Sequence, residues 1–308
     1  MNQRTGSQIS RPKIYRPRRS VLYVSAHETR HIEKSRELAA DCIIFDLQES
    51  VPPSKKIEAR TMLVKAFENP NFGYSEKIIR INSLDSDWGM DDLRAITSLE
   101  IDGVLFPQVE SAGELKAAIA TMDEAGGTRL PVMANIESPK GVLRSEEIAG
   151  ASERLSAIVL GTTDLANSLR INITLDRMGL LTSLSMTVLG ARAHDRCIID
   201  GPHFDLKNIE ACEFSCRQAR DLGFDGKAVI HPIQLAYNND AFTPKGEDIK
   251  RAKKIIEAIA RAHEMGKSVA VIEDKLIEPS LESWARRVIA LYNQVKELGQ
   301  NELIGAEK

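Results

Sequence analysis

The strongest constraint on this chain is a recurring pattern of short, almost wholly apolar runs separated by longer stretches with an apolar face at helical spacing. The runs span residues 21–24, 42–46, 77–81, 103–106, 131–136, 157–160, 197–200 and 228–231. Helical stretches lie between them over residues 29–40, 55–67, 90–97, 110–122, 141–149, 180–193 and 209–222. A run without polar alternation suits a parallel strand covered on both faces, and parallel neighbours need crossover connections. Eight such strands predict an α/β fold, a closed (β/α)8 TIM barrel, and residues 21–231 approach the roughly 250 residues that such barrels use. A doubly wound open sheet is the alternative. Against it, Ser25-Ala-His-Glu-Thr29 after the first strand holds no glycine for a dinucleotide fingerprint.

The barrel accounts for residues 18–240 of the 308, leaving a flexible basic lead-in (1–17) and a C-terminal extension (241–308). The extension reads as a helix over 250–265, a short apolar run at 269–272 and a final helix carrying Trp284, Val288 and Ile289, suited to a lid or an intersubunit contact. With 41 basic and 44 acidic side chains the formal charge is −3, which gives no global field for nucleic acid. The basic cluster from Arg11 to Arg19 is either a phosphate contact, chiefly through Arg19, or a solvated lead-in. No apolar run approaches the roughly 18 to 20 residues of a membrane span, and the first twenty residues lack a secretory apolar segment. Cys42, Cys197, Cys212 and Cys216 form no CxxC pair, so a reduced, cytoplasmic protein is expected.

In a barrel the C-terminal strand ends converge on one mouth, where function resides. Here those ends supply Asp46-Leu-Gln-Glu49, Arg80 with Asn82, Pro107-Gln108, Glu137, Asp164, Asp200 and His231. Glu137 and Asp164 follow neighbouring strands, which lie about 4.8 Å apart, so the two carboxylates can share one ion. An all-oxygen site with open water positions favours Mg2+; otherwise the two are capping or salt-bridging acids. Arg80 interrupts Ile78-Ile79-Arg80-Ile81 and either pairs with a carboxylate among the helices or clamps a ligand oxygen at the mouth. Asp46 either holds the metal through water or orients Arg80. His231 is a base or a structural corner, and six unclustered histidines make a zinc site poor.

Arg19-Ser-Val-Leu22, Asp46-Leu-Gln-Glu-Ser-Val51 with Lys56 and Arg60, Arg80-Ile-Asn82, Ile136-Glu-Ser138, Gly161-Thr-Thr-Asp164 and Leu222-Gly-Phe-Asp-Gly-Lys-Ala-Val-Ile-His-Pro-Ile-Gln234 occur in that order. Over about residues 18 to 295 the chain resembles the acyl-CoA lyases related to the citrate lyase beta subunit, within the HpcH/HpaI aldolase/citrate lyase family. The resemblance implies Mg2+ on Glu137 and Asp164, Arg80 gripping the substrate, and Arg19 and Lys56 on the phosphates of a CoA thioester. It implies cleavage of a 3-hydroxyacyl-CoA, such as malyl-CoA or citramalyl-CoA, to acetyl-CoA and a 2-oxo acid, or the reverse, by a homo-oligomer (trimer or hexamer).

The chain departs from that pattern in three places. Gln48-Glu49 replaces a common Glu-Asp, Ser25-Ala-His-Glu28 replaces a glycine-rich turn, and Glu273-Asp-Lys-Leu-Ile-Glu278 ends in Glu where relatives carry Asp. Asp46, Glu49 and Glu278 are the candidate catalytic carboxylates beside Arg80, with Glu278 either catalytic or facing the thioester, and a carboxylate suits the proton transfer the reaction needs. The alternatives are a CoA-independent 2-oxo acid aldolase, a citryl-acyl-carrier lyase subunit and a non-catalytic metabolite-binding subunit.

Overall fold

A computed structural model describes residues 16–267, 269–272, 275–278 and 280–306. Most of the basic lead-in, including Arg11, and Glu273 and Asp274 of the tail motif lie outside the described residues. The strands are β1 (Ser20–Ser25), β2 (Cys42–Asp46), β3 (Glu76–Arg80), β4 (Gly103–Phe106), β5 (Val132–Ile136), β6 (Leu155–Leu160), β7 (Cys197–Asp200) and β8 (Gly226–Val229). Each pairs in parallel with the next, and β8 pairs with β1, closing the barrel. Around it run α1 (Thr29–Ser35), α2 (Lys56–Ala66), α3 (Gly89–Ile96), α4 (Ala112–Glu124), α5 (Pro139–Leu143), α6 (Ser145–Ala149), α7 (Thr162–Leu169), α8 (Leu181–Ala193), α9 (Ile209–Leu222) and α10 (Leu235–Phe242). The sequence reading lacks α7 and α10. Both have eight residues and are rich in Thr, Asn and Asp, whose weak helix propensity hides them.

The uniformly apolar strands split into two alternating sets. Leu22, Val24, Ile43, Phe45, Ile79, Val104 and Ile158 belong to the large core shared with the helices. Phe45, for example, meets Phe67 and Phe72 edge-on, with ring centroids 5.3 and 4.9 Å away. The alternate residues Val21, Ile44, Ile78, Leu105, Met133 and Ala157 are also buried, and in register they fill the barrel interior. Tyr23, Asp46, Arg80, Asn135 and Val159 continue this inward set toward the mouth. Asp200 belongs to the other set. It lies on the same side of β7 as Ile198 and pairs with Lys227 and Arg177, so the polar strand ends do not all converge as the sequence suggests.

Arg19 also departs from expectation. It immediately precedes β1, at the end of the barrel opposite the mouth, and its Nε and Nη2 bind Asp41 at 2.8 and 2.7 Å. Arg18 does the same with Glu76 at 2.6 and 2.7 Å. These buried pairs join the chain before β1 to the starts of β2 and β3. Arg19 is thus a structural cation, not a contact for phosphate at the mouth.

Arg18–Phe242 form one compact unit, and the segment from Thr243 onward belongs to another. In that second unit α11 (Gly246–Glu264), the antiparallel hairpin β9 (Ala270–Ile272) and β10 (Lys275–Ile277), and α12 (Ser280–Ala306) build a small core of Ala252, Ile255, Ile259, Ala270, Ile277 and Ala285. The four cysteines are buried and form no disulfide among the described residues. Among the described residues no helix is long and apolar enough to cross a membrane.

The barrel seam makes one residue critical. A Cβ at Gly226 would lie 1.8 Å from the Arg18 carbonyl oxygen, and backbone cannot yield as a side chain can. Gly226→Ala is expected to cost at least about 3 kcal/mol in urea unfolding. Gly113→Ala on α4, whose nearest neighbour is 3.8 Å away, should change stability by less than about 1 kcal/mol.

Candidate metal and substrate site

Asp46 and Arg80 are register partners on β2 and β3, with both side chains pointing inward at the mouth. The Asp46 carboxylate accepts from Arg80 Nε and Nη2 at 2.7 and 2.8 Å and from the backbone N–H groups of Gln48 and Ser50 at 2.8 and 2.9 Å. Burial alone would raise its pKa. The Arg80 charge and the Arg80 and Ser50 hydrogen bonds outweigh burial and hold it below the usual carboxylate range. With its oxygens so engaged, Asp46 orients Arg80. Burial likewise opposes the charge on Arg80, but Asp46 more than compensates and the guanidinium stays protonated. Its Nη1 reaches Glu49 at 3.0 Å, and its Cζ lies 4.9 Å from the Tyr23 ring centroid.

Behind this pair, Lys56 donates to the carbonyls of Leu47 and Gln48 at 2.9 and 2.6 Å and to Asn82 Oδ1 at 2.7 Å. Its three N–H bonds are thereby used, so Lys56 clamps the turn after β2 and is not the phosphate ligand expected of it. Asn82 in turn donates to Leu47 O and Asp92, and Arg60 also binds Asp92. A continuous polar network therefore fixes the Asp46–Glu49 turn from behind.

Glu137 follows β5, and Asp164 lies in the first turn of α7, not in a strand-end loop. The Glu137 carboxylate accepts from Asn135 Nδ2 and from the backbone N–H of Gln108, which adopts a left-handed φ of 53°. A Cβ at Gly161 would lie 2.5 Å from Glu137 Cβ, so this turn needs glycine beside the carboxylate. Burial, then the negative charges of Glu49 and Asp164, push the Glu137 pKa up to about 7, although Arg80 and Gln108 pull the other way. Among the described residues Asp164 makes no ion pair or side-chain hydrogen bond. Two carboxylates that line one cavity, with the Asp164 charge helping to raise the proton affinity of Glu137, are suited to a cation.

The cavity around them has a volume of about 370 Å³ and is lined by Tyr23, Asp46, Glu49, Arg80, Glu137 and Asp164, among others. Four carboxylates thus face one guanidinium. No cluster of three or more His, Cys, Asp or Glu suited to a metal occurs among the described residues. Two carboxylates with room for water and a chelating ligand suit Mg2+ better than an ion that requires a full protein cage.

His231 Nδ1 accepts from Ile233 N at 3.2 Å and caps a short turn after β8, the structural-corner reading. Glu278 lies in the C-terminal unit, exposed and 3.4 Å from Ser280 Oγ. Sequence reasoning gives no role to Tyr23 or Asn135, and includes Gly161 only as part of the motif that ends in Asp164. Asn135 carried a signal, a polar residue within an apolar strand two positions before Glu137.

The profile of the HpcH/HpaI aldolase/citrate lyase family matches residues 19–232. The chain belongs to this family. A (3S)-malyl-CoA thioesterase of Cereibacter sphaeroides is 39% identical over 89% of this chain and 94% of that protein. The citrate lyase subunit beta of Haemophilus influenzae is 31% identical over 88% of this chain and 96% of that protein. Among solved structures, a citrate lyase beta subunit of Mycobacterium tuberculosis complexed with oxaloacetate and magnesium superposes with a TM-score of 0.63 at 25% identity, covering 74% of this chain and 98% of that one. RipC of Yersinia pestis gives 0.65 at 28% identity, covering 77% of this chain and 100% of that one.

The raised pKa of Glu137 carries a stability prediction. Its protonation favours the fold, so that contribution is complete below about pH 4.5 and is lost as pH rises through about 7. In metal-free buffer, Glu137→Gln should therefore stabilise the protein at pH 8 by up to about 3 kcal/mol and change it little at pH 4.5. Urea unfolding at the two pH values checks this. A difference independent of pH would contradict the burial and charge effects given for Glu137.

Proposed function

We propose that this family member is a Mg2+-dependent carbon–carbon lyase that cleaves a 3-hydroxyacyl-CoA of the malyl-CoA or citramalyl-CoA type to acetyl-CoA and a 2-oxo acid. The observation that carries this reading is the carboxylate pair Glu137 and Asp164, neither in an ion pair among the described residues, sharing one cavity with Arg80. When bound there, Mg2+ supplies a positive centre that polarises the oxygens of a chelated 2-oxo or 2-hydroxy acid. Magnesium in the M. tuberculosis relative supports this choice of ion.

Arg80 adds a fixed positive charge where negative charge develops, and Asp46 with the Lys56 network holds its plane. Asp46 is committed to Arg80, and Glu137 and Asp164 to the ion. Proton transfer within the mouth therefore falls to Glu49, whose carboxylate is half exposed. Glu278 of an adjacent copy in a trimer or hexamer is the alternative proton-transfer group. Loss of turnover in Glu49→Gln or in Glu278→Gln, with the other variant active, distinguishes them.

A second cavity of about 340 Å³, lined by His31, Lys34, His231 and Pro232 among others, shares Tyr23, Ser50 and Ile230 with the first. Its volume and the Lys34 ammonium in its lining suit the arm and phosphates of a CoA thioester, taking the place expected of Arg19 and Lys56.

The 39% identity to (3S)-malyl-CoA thioesterases favours a second reading, hydrolysis of the same thioesters. In hydrolysis the reacting carbon is the thioester carbonyl, away from the chelated oxygens. In C–C cleavage the chelated oxygen sits on the reacting carbon, so the ion and Arg80 act directly on the bond that breaks. This is why we prefer the lyase.

The test is incubation with Mg2+ and malyl-CoA or (3S)-citramalyl-CoA, measuring acetyl-CoA chromatographically and free CoA with a thiol reagent. Equimolar acetyl-CoA and 2-oxo acid is expected. Free CoA with intact hydroxy acid would establish the thioesterase instead, and no product of either kind would overturn both readings. Arg80→Gln should lower kcat by about 10²–10³.

A further inference from the structure

Tyr23 is on the inward side of β1, between the two cavities, and lines both. Its ring covers the face of the Arg80 guanidinium, while the edges of that group are taken by Asp46 and Glu49. Among the described residues its phenol oxygen has no hydrogen-bond partner. A tyrosine whose ring is held by a cation and whose hydroxyl is unclaimed presents a donor to whatever occupies the junction.

On the acyl-CoA reading above, the junction lies between the hydroxy-acid head at the metal and the CoA arm in the second cavity. The group of the substrate that joins those two parts is the thioester. We infer that Tyr23 is a catalytic residue whose hydroxyl donates a hydrogen bond to the thioester carbonyl oxygen, strengthening as that oxygen becomes an enolate. This deepens the proposed function and rests on it.

The chemistry balances without a redox partner. The 3-hydroxyl gives its proton to the base, the C2–C3 bond breaks, and its electron pair passes into the thioester as an enolate. Carbon 2 then takes a proton to give acetyl-CoA. Tyr23 keeps its own proton throughout. Burial raises the phenol pKa, more than Arg80 lowers it, so the group is a neutral donor at any working pH. A donor of this kind resembles those of oxyanion holes, which stabilise charge that forms only in the transition state.

Tyr23→Phe retains the ring on Arg80 and removes only the donor. It is expected to lower kcat for cleavage about 10²-fold, with KM within about 3-fold and thermal stability unchanged. A second measurement needs no turnover. Acetyl-CoA and its carbonyl-free thioether analogue S-ethyl-CoA are titrated into the Mg2+-loaded protein. Wild type should prefer acetyl-CoA by about 5- to 10-fold, and Tyr23→Phe should bind the two alike.

Equal binding of both ligands by wild type, or a preference that survives in Tyr23→Phe, would overturn the assignment to Tyr23 while leaving the acyl-CoA reading intact. Failure of both ligands to bind at all would overturn the acyl-CoA reading, and with it this one.

Discussion

The buried pair between Asp46 and Arg80 is the interaction on which the mouth of this barrel depends. It spans register partners on β2 and β3, so strand pairing itself sets its geometry. A charge pair so buried is costly unless every remaining lone pair is satisfied. Here the Gln48 and Ser50 amides complete Asp46, and in doing so they fold the turn that carries Glu49. Lys56 and Asn82 tie down the carbonyls of the same turn. One electrostatic requirement therefore links the sheet, the loop after β2 and the position of the Arg80 guanidinium that lines the cavity.

The charge balance of that cavity follows from the same arrangement. Arg80 is neutralised by Asp46 and approached by Glu49, so Glu137 and Asp164 are left facing each other with no cation of their own. Burial, together with the charges of Glu49 and Asp164, raises the proton affinity of Glu137. A divalent ion relieves the same repulsion, which is why a site of this composition suits a metal more than a second anion.

The barrel was legible in the sequence because burial on both faces keeps the strands predominantly apolar, and β2, β4 and β7 begin and end where the apolar runs do. Arg80 and Glu137 stand out in the sequence because one interrupts such a run and the other follows one, whereas Asp164 stands four residues past the end of β6, within α7. What strand position does not encode is which way a side chain points. Asp46 and Asp200 both end apolar strands, yet one points into the mouth and the other toward Lys227 and Arg177 outside it. Arg19 and Lys56 were misjudged for a related reason. A cation counted along the chain says nothing of the acceptors around it, and Asp41 and two loop carbonyls had claimed theirs. Tyr23 was hidden within an apolar run, where an aromatic residue reads as core.

The central claim, that Glu137 and Asp164 together hold a divalent ion able to chelate a 2-oxo acid, is tested most directly with Mn2+ as a paramagnetic substitute for Mg2+, by water-proton relaxation. The account predicts one bound Mn2+ with exchanging waters, a loss of relaxation enhancement when oxaloacetate displaces some of them, and loss of binding in both Glu137→Gln and Asp164→Asn. Unchanged Mn2+ affinity in those variants, or a bound ion whose water signal is indifferent to oxaloacetate, would contradict it.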